Sequence, residues 1–424
     1  VTLILLLGAL AAGPVAEPVP PESLDARVSR ILSEAARVRP GESKALRLAR
    51  KLDLASDEYL ERGEAGRSAE LAVRALALDP DDTAALLRIA LANLHLQNFE
   101  AARAALEAAQ VRAAEAPTRL FREVGMLFDD AGFPADAAEA LETAVRLGIR
   151  DAATLAVLAR ARREVPFSGS QRILELQGFR ILFDPDLPAD VVERTGTILE
   201  SERRRLESTL GLGAPERLTV VLYAARAHFS LAAAPDWAAA LYDGAIRLCL
   251  ETGHEREPEL AEMLTHELVH ALLSRATQHR APAWLQEGLA QWMSGRRLPC
   301  SGFVASLQIP DARILQTLLL RPGAADTAKE AYAAALGMVQ ELADRRGPGT
   351  LACLIRSLVT GLRAESALLL ETGLTADELL DSSRSDCPSG DPKSRIGGTA
   401  STCPGRSGSW SVASHRASSP CSPR

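Results

Sequence analysis

The sequence predicts a mainly α-helical chain with one small β-sheet, built as an N-terminal solenoid of helical repeats followed by an α+β domain. Three observations lead there. Small residues recur at a spacing of 34 to 35 between residues 50 and 165, short β-branched runs cluster between 170 and 250, and an H-E-x-x-H begins at residue 266. Composition agrees with a folded chain: of 424 residues, 47% are apolar and 24% charged, which excludes wholesale disorder and a polytopic membrane protein. Ala, Leu and Arg dominate, a helix-favouring set, and only 4% of residues are aromatic. The formal charge is −7, with no basic stripe interleaved with aromatics, so no nucleic-acid partner is expected. Six Cys occur without any C-x-x-C, which predicts buried thiols and incidental tail Cys rather than a metal knuckle or a disulfide framework.

The two ends differ in kind. Residues 3–12, LILLLGALAA, are too short to span a bilayer but match the h-region of a secretory signal, with cleavage after Ala12 or Ala16. Residues 1–16 are therefore expected to be a signal peptide, with no transmembrane span after its removal. That places the chain in a bacterial periplasm or cell envelope; if the apolar run is not a signal, the chain is cytoplasmic. Residues 382–424 hold 13 Ser in 43 positions and no apolar period, the composition of a disordered tail.

Residues 24–165 form the expected repeat domain. Ser68, Ala102 and Ala137 fall in register, and Ala75, Ala109 and Ala144 follow seven positions later. Pro80-Asp81, Gln97-Asn98-Phe99 and Gly132-Phe133-Pro134 supply the breaks between helices. Each unit then reads as two helices joined by a tight turn, with small residues where the helices cross. This pattern resembles the tetratricopeptide repeat over about 110 residues, with a capping helix near Asp151–Arg163. It departs from that repeat at Ser56, where Gly or Ala is usual, and at Asn93, where an aromatic is usual. The resemblance implies a concave surface for a protein or peptide partner.

From 170 to 380 the pattern changes. QRILELQGFRILFDP at 170–184 reads as two short strands about a Gln-Gly turn, 189–211 as a long amphipathic helix, and RLTVVLY at 217–223 as a strand. GAIRLCL at 244–250 reads as another strand, after which the chain is helical from Pro258 to about 380. Strands followed by helices make an α+β arrangement.

The chemistry lies in ELAEMLTHELVHALLS. On a helix, His266 and His270 are about 400° apart, so both imidazoles leave one face about a turn apart, as two ligands of a tetrahedral Zn²⁺ require. Glu267 projects beside them, placed to take a proton from a metal-activated water rather than to bind metal. Leu264, Leu268, Val269, Leu272 and Leu273 make the remainder of the helix apolar, giving the site a dry wall. With seven His in the chain, such a motif arises by chance with an expectation of roughly 0.01. Beyond a turn at Pro282, AWLQEGLA places Glu287 on a second helix as the third protein ligand, leaving one position for water. Gly288 beside it, lacking a side chain, would let the two helices approach closely.

HELVHALL followed by PAWLQEGLAQW resembles the gluzincin metallopeptidases, specifically the bacterial peptidase MA-like domain that often follows tetratricopeptide repeats. The similarity covers roughly residues 170–370. It implies a zincin-type fold, one Zn²⁺ per chain on His266, His270 and Glu287, and Glu267 as general base and acid for hydrolysis of a peptide or protein substrate. It also implies an edge strand that pairs with the substrate backbone, expected in Gly244–Leu250 and so involving Gly244, Ala245, Ile246 and Arg247. Relatives supply an oxyanion donor from the later helices, for which Tyr332 is the candidate and Tyr242 and Arg247 are alternatives. A helix-packing role for Tyr332 stays open at this point, and His254 and His279 read as loop residues. The competing reading is a non-catalytic scaffold, in which the repeats carry the function and the zincin domain is structural or inactive.

Overall fold

The computed structural model describes residues 22–212, 217–230, 238–250, 257–298, 309–320 and 325–384. The expected signal segment, the tail beyond residue 384 and His254 lie outside them. Among the described residues the chain is mainly helical, with 17 α-helices and one mixed five-stranded sheet. None of these helices is long and apolar enough to cross a membrane. The chain divides into two compact units, residues 1–124 with 140–150 and residues 125–139 with 151–424.

The first unit is all helical. α1 (Leu24–Ala35), α2 (Ser43–Glu61), α3 (Ala65–Leu78), α4 (Thr83–His95) and α5 (Phe99–Gln110) succeed one another through short turns. Each turn carries its own chemistry. Ser23, Asp82 and Asn98 cap the starts of α1, α4 and α5 by accepting from backbone N–H groups that the helix leaves without a partner. The small residues in register are fully buried: Ser68 and Ala75 on α3, and Ala102 and Ala109 on α5. Ser56 departs from the small apolar pattern without leaving a polar atom stranded, since its Oγ donates to the Ser68 carbonyl at 2.9 Å. Asn93 likewise spends its side-chain amide on the Ile89 carbonyl, one turn back, at 2.8 Å.

α6 (Thr118–Asp130) and α7 (Pro134–Arg146) run across the division, so the turn between them belongs to the second unit. That unit continues with α8 (Ala152–Ser168), capped by Asp151, and the hairpin β1 (Arg172–Leu176) and β2 (Phe179–Phe183). Gly178 closes this hairpin at φ +89, a conformation that side chains disfavour. α9 (Ala189–Leu210) leads to β3 (Leu218–Tyr223), α10 (Arg226–Phe229), β4 (Ala240–Tyr242) and β5 (Ile246–Cys249). Seven helices complete the unit: α11 (Glu257–Thr277), α12 (Ala283–Met293), α13 (Ala312–Leu320), α14 (Ala325–Arg346), α15 (Gly349–Val359), α16 (Ala364–Thr372) and α17 (Ala376–Ser382). The strand order is β1-β2-β3-β5-β4, with β2, β3 and β5 parallel and the outer two antiparallel.

The sheet is buried on both faces, and its period of two sorts the side chains. Val220, Leu222, Ile246 and Leu248 enter the main core, which also holds the buried faces of α9, α11, α12 and α14. Val221, Tyr223 and Cys249 point the other way, toward Leu182 and Phe229. Arg247 shares that second face and is 2% exposed. Its guanidinium donates to Glu164 at 2.9 Å, to the Tyr223 hydroxyl at 2.8 Å and to Asp243 at 2.9 Å. Arg160 of α8 pairs with Asp129 and donates to Asp243 at 2.6 Å, so two cations and three carboxylates close one network behind the sheet.

Two expectations are corrected here. The Gly244–Leu250 run is no edge: β5 lies between β3 and β4, so both sides of its backbone are already paired. Gly244 and Ala245 form the turn into it, Ile246 is core, and Arg247 is turned to the back face. The physical reason is burial. The fully buried β5 takes an interior position, and the three-residue β4, which is only half-buried and has no readable period, takes the edge. The thiol expectation also fails at Cys353, which is disulfide-bonded; spacing carried no sign of this, because no other Cys lies near it in sequence.

Arg247→Met keeps the length of the side chain but leaves Glu164 without its cation and Asp243 with Arg160 alone. Urea unfolding should show a loss of about 3–5 kcal/mol, the cost of breaking a buried pair from one side. A loss below about 1 kcal/mol would mean that the network is solvated and not structural.

Candidate metal centre

α11 is apolar on the sides that pack into the unit. Leu264, Leu268, Val269, Leu272 and Leu273 are all at most 1% exposed. The stripe left over, at successive i and i+4 positions, carries His266, His270 and Ser274. α12 starts abruptly after Pro282, whose extended backbone cannot continue the preceding turn as helix. One turn into α12, Glu287 faces that stripe.

The three groups converge. Glu287 Oε2 lies 3.5 Å from the Nε2 of His266 and 3.5 Å from the Nε2 of His270, and the two Nε2 atoms are 3.2 Å apart. One ligand atom from each lies within 4.8 Å of the others. Glu287 Oε2 is buried and has no hydrogen-bond partner, a costly state for a carboxylate oxygen unless something cationic sits with it. Two imidazole nitrogens and one carboxylate oxygen at these distances are a set that could hold a metal ion. The residues present fit such an ion.

Charge in the centre is strongly coupled. Burial works against a charged His270, but the Glu287 carboxylate overrides it and pushes the imidazole up to about 9. Burial likewise works against the Glu287 anion, yet His270 and His266 hold its carboxyl down to about 2. Glu267, 7% exposed, is raised above the usual carboxylate range by burial, against the pull of both imidazoles. Tyr332 on α14 is raised by burial and by the charges of Glu287 and Glu267. Its phenol therefore stands within electrostatic reach of both carboxylates, while its ring packs on the main core.

Gly288 has the role expected of it but a different neighbour. A Cβ there would collide with the Ala335 carbonyl and come within 2.7 Å of Val339 Cγ2, both on α14. The close approach is thus between α12 and α14, not α12 and α11. It is reinforced by Gln291, whose amide donates to the Tyr332 carbonyl at 2.8 Å. Two further residues of the centre had no signal in the motif: Gln286, whose Oε1 is 3.3 Å from His270 Nδ1, and Ser274, which accepts from Gln286 Nε2 at 2.9 Å. Of the other expected residues, Tyr242 lies on β4 and His279 in the turn after α11, at φ +59. The Arg247 side chain is committed to the back of the sheet, and Gly244 meets Asp130 there.

Comparison with known proteins adds nothing to this geometry: no family model and no curated protein matches the chain.

Gly288→Ala should lower stability by about 1–3 kcal/mol through overpacking against α14, measured by urea unfolding. An unchanged midpoint would show that α12 and α14 are free to separate. For the metal-free protein, the raised His270 base contributes stability that is full below pH 6.5 and is lost as pH rises through about 9. The lowered Glu287 acid contributes stability that is full above pH 4.5 and is lost as pH falls through about 2. A metal must displace the His270 proton, so chelator-competition titrations should show apparent zinc affinity rising about tenfold per pH unit up to about pH 9. A flat profile between pH 6.5 and 9 would show that His270 is already neutral.

Proposed function

We propose that the second unit is a zinc-dependent peptidase and that the helical repeats hold its substrate or a protein partner. The observation that carries this reading is the buried, unpartnered Glu287 Oε2 equidistant from two imidazole nitrogens. His266, His270 and Glu287 would hold one Zn²⁺. When bound, the ion supplies Lewis acidity, making water nucleophilic near neutral pH and polarising a carbonyl.

The protein's own groups do the rest. Glu267 takes the proton of the attacking water on its carboxylate and passes it to the leaving amine. A carboxyl whose burial raises its pKa suits both halves of that transfer, since it is a stronger base than an exposed Glu and a competent acid afterwards. Tyr332, whose phenol feels the charges of Glu287 and Glu267, is the donor proposed for the developing oxyanion. With β5 interior, the substrate backbone is assigned to the free edge of β4, Ala240–Tyr242. The apolar flanks of α11 keep bulk water from one side of the reaction.

Metal analysis of the full chain, with cleavage of a mixed peptide library, tests the proposal. About one zinc per chain is expected, lost in Glu287→Ala. Glu267→Gln should keep its zinc and lose at least about 10²-fold in turnover. Full turnover in that variant, or equal zinc affinity in Glu287→Ala, would overturn the assignment.

A further inference from the structure

His270 is engaged at both ring nitrogens by consecutive residues of one helix. Gln286 Oε1 lies 3.3 Å from Nδ1, and Glu287 Oε2 lies 3.5 Å from Nε2. Adjacent residues of a helix normally face different ways, so a pair that spans one partner ring is a specific arrangement. The far end of the amide is engaged as well. Gln286 Nε2 donates to Ser274 Oγ at 2.9 Å, and Ser274 is 6% exposed, one turn beyond His270 on the same stripe of α11.

The Ser274 hydroxyl takes the Nε2 end of the amide. With Nε2 on Ser274, the carbonyl oxygen faces Nδ1. A neutral imidazole carries one proton, and an acceptor at Nδ1 draws it there, leaving the Nε2 lone pair bare. Nε2 is the nitrogen aimed at His266 and Glu287. Turned the other way, the amide would place a donor against Nδ1, drive the proton to Nε2 and block the nitrogen that must ligate. A neutral amide achieves this without a third carboxylate beside Glu287 and Glu267, whose desolvation would be costly in a buried site.

We propose that Gln286, held by its bond to Ser274, is a positioning residue that fixes the His270 tautomer and ring orientation for zinc binding through Nε2. The inference rests on the zinc reading above. Outer partners of this kind are worth about 10–100-fold in metal affinity. Nothing in the H-E-x-x-H…E pattern requires Gln at 286 or Ser at 274.

The test is zinc affinity of the full chain by chelator competition, with long-range ¹H–¹⁵N spectra of His270 in the zinc-loaded protein. In the wild type, coordination should appear at Nε2 with the proton on Nδ1. Gln286→Leu should weaken zinc about 10–100-fold, with the metal-free melting curve unchanged. Gln286→Glu, which keeps an acceptor at Nδ1, should stay within a few-fold of wild type. Ser274→Ala, which frees the amide to turn, should weaken zinc at least about threefold and serves if Gln286→Leu fails to fold. Affinity within about twofold in Gln286→Leu, or in Ser274→Ala where the former does not fold, would overturn the proposal while leaving the zinc reading intact. Coordination through Nδ1 would do the same. A wild-type chain that binds no zinc would overturn both, and is recognised because no variant is needed to see it.

Discussion

A buried carboxylate oxygen without a hydrogen-bond partner, equidistant at 3.5 Å from two imidazole nitrogens, is the constraint around which the second unit is arranged. Leaving water costs such an oxygen several kcal/mol unless positive charge replaces the lost solvent. Without metal, His270 supplies that charge as an imidazolium; with metal, the ion would. Either way the three side chains must be brought together by elements that resist drifting apart. α11 does so by burying Leu264, Leu268, Val269, Leu272 and Leu273. α12 does so by pressing a bare Cα against α14 at Gly288, and Gln291 ties the same pair of helices through the Tyr332 carbonyl.

The sheet gives this assembly a floor with two different faces. One is hydrocarbon and belongs to the main core. The other carries Arg247 and its carboxylates, with Arg160 and Asp129 joined to them through Asp243. Asp243 sits in the turn between β4 and β5, so the network restrains the hairpin whose outer strand is the free edge. A salt network of this sort adds little net stability over a hydrocarbon equivalent, while removing one member leaves its partners' buried charges uncompensated.

Much of this was legible in the sequence, and the boundary of legibility follows the range of the interactions. His266, Glu267 and His270 could be read because a helix sets their geometry within two turns. Glu287 could be read because its helix starts at Pro282 and follows closely. Strands β1, β2, β3 and β5 showed as β-branched runs, and Gly211 marked the end of α9. What failed was long-range. Whether GAIRLCL is an edge or an interior strand depends on which strand pairs beside it, and three-residue β4 has no period to reveal itself. Gly288 was read as a point of close approach, but the helix it meets lies some fifty residues further on. The bond of Cys353 and the contact of Gln286 with His270 were hidden for the same reason.

The division of the chain through the α6–α7 hairpin bears on ancestry. Had the repeat-like helices and the strand-bearing part been joined as beads on a string, either could have been inherited, duplicated or exchanged alone. Here Asp129, in the helix that precedes the hairpin turn, supplies a carboxylate to the ion network behind the sheet, and Gly132 in the turn lies against Leu182 of β2. A gene rearrangement that carried off the strands without this turn would remove Asp129 from the ion network and expose part of one face of the sheet. Because the first unit resumes at residue 140, no single cut separates the two parts, and residues 125–139 have to travel with the sheet they touch.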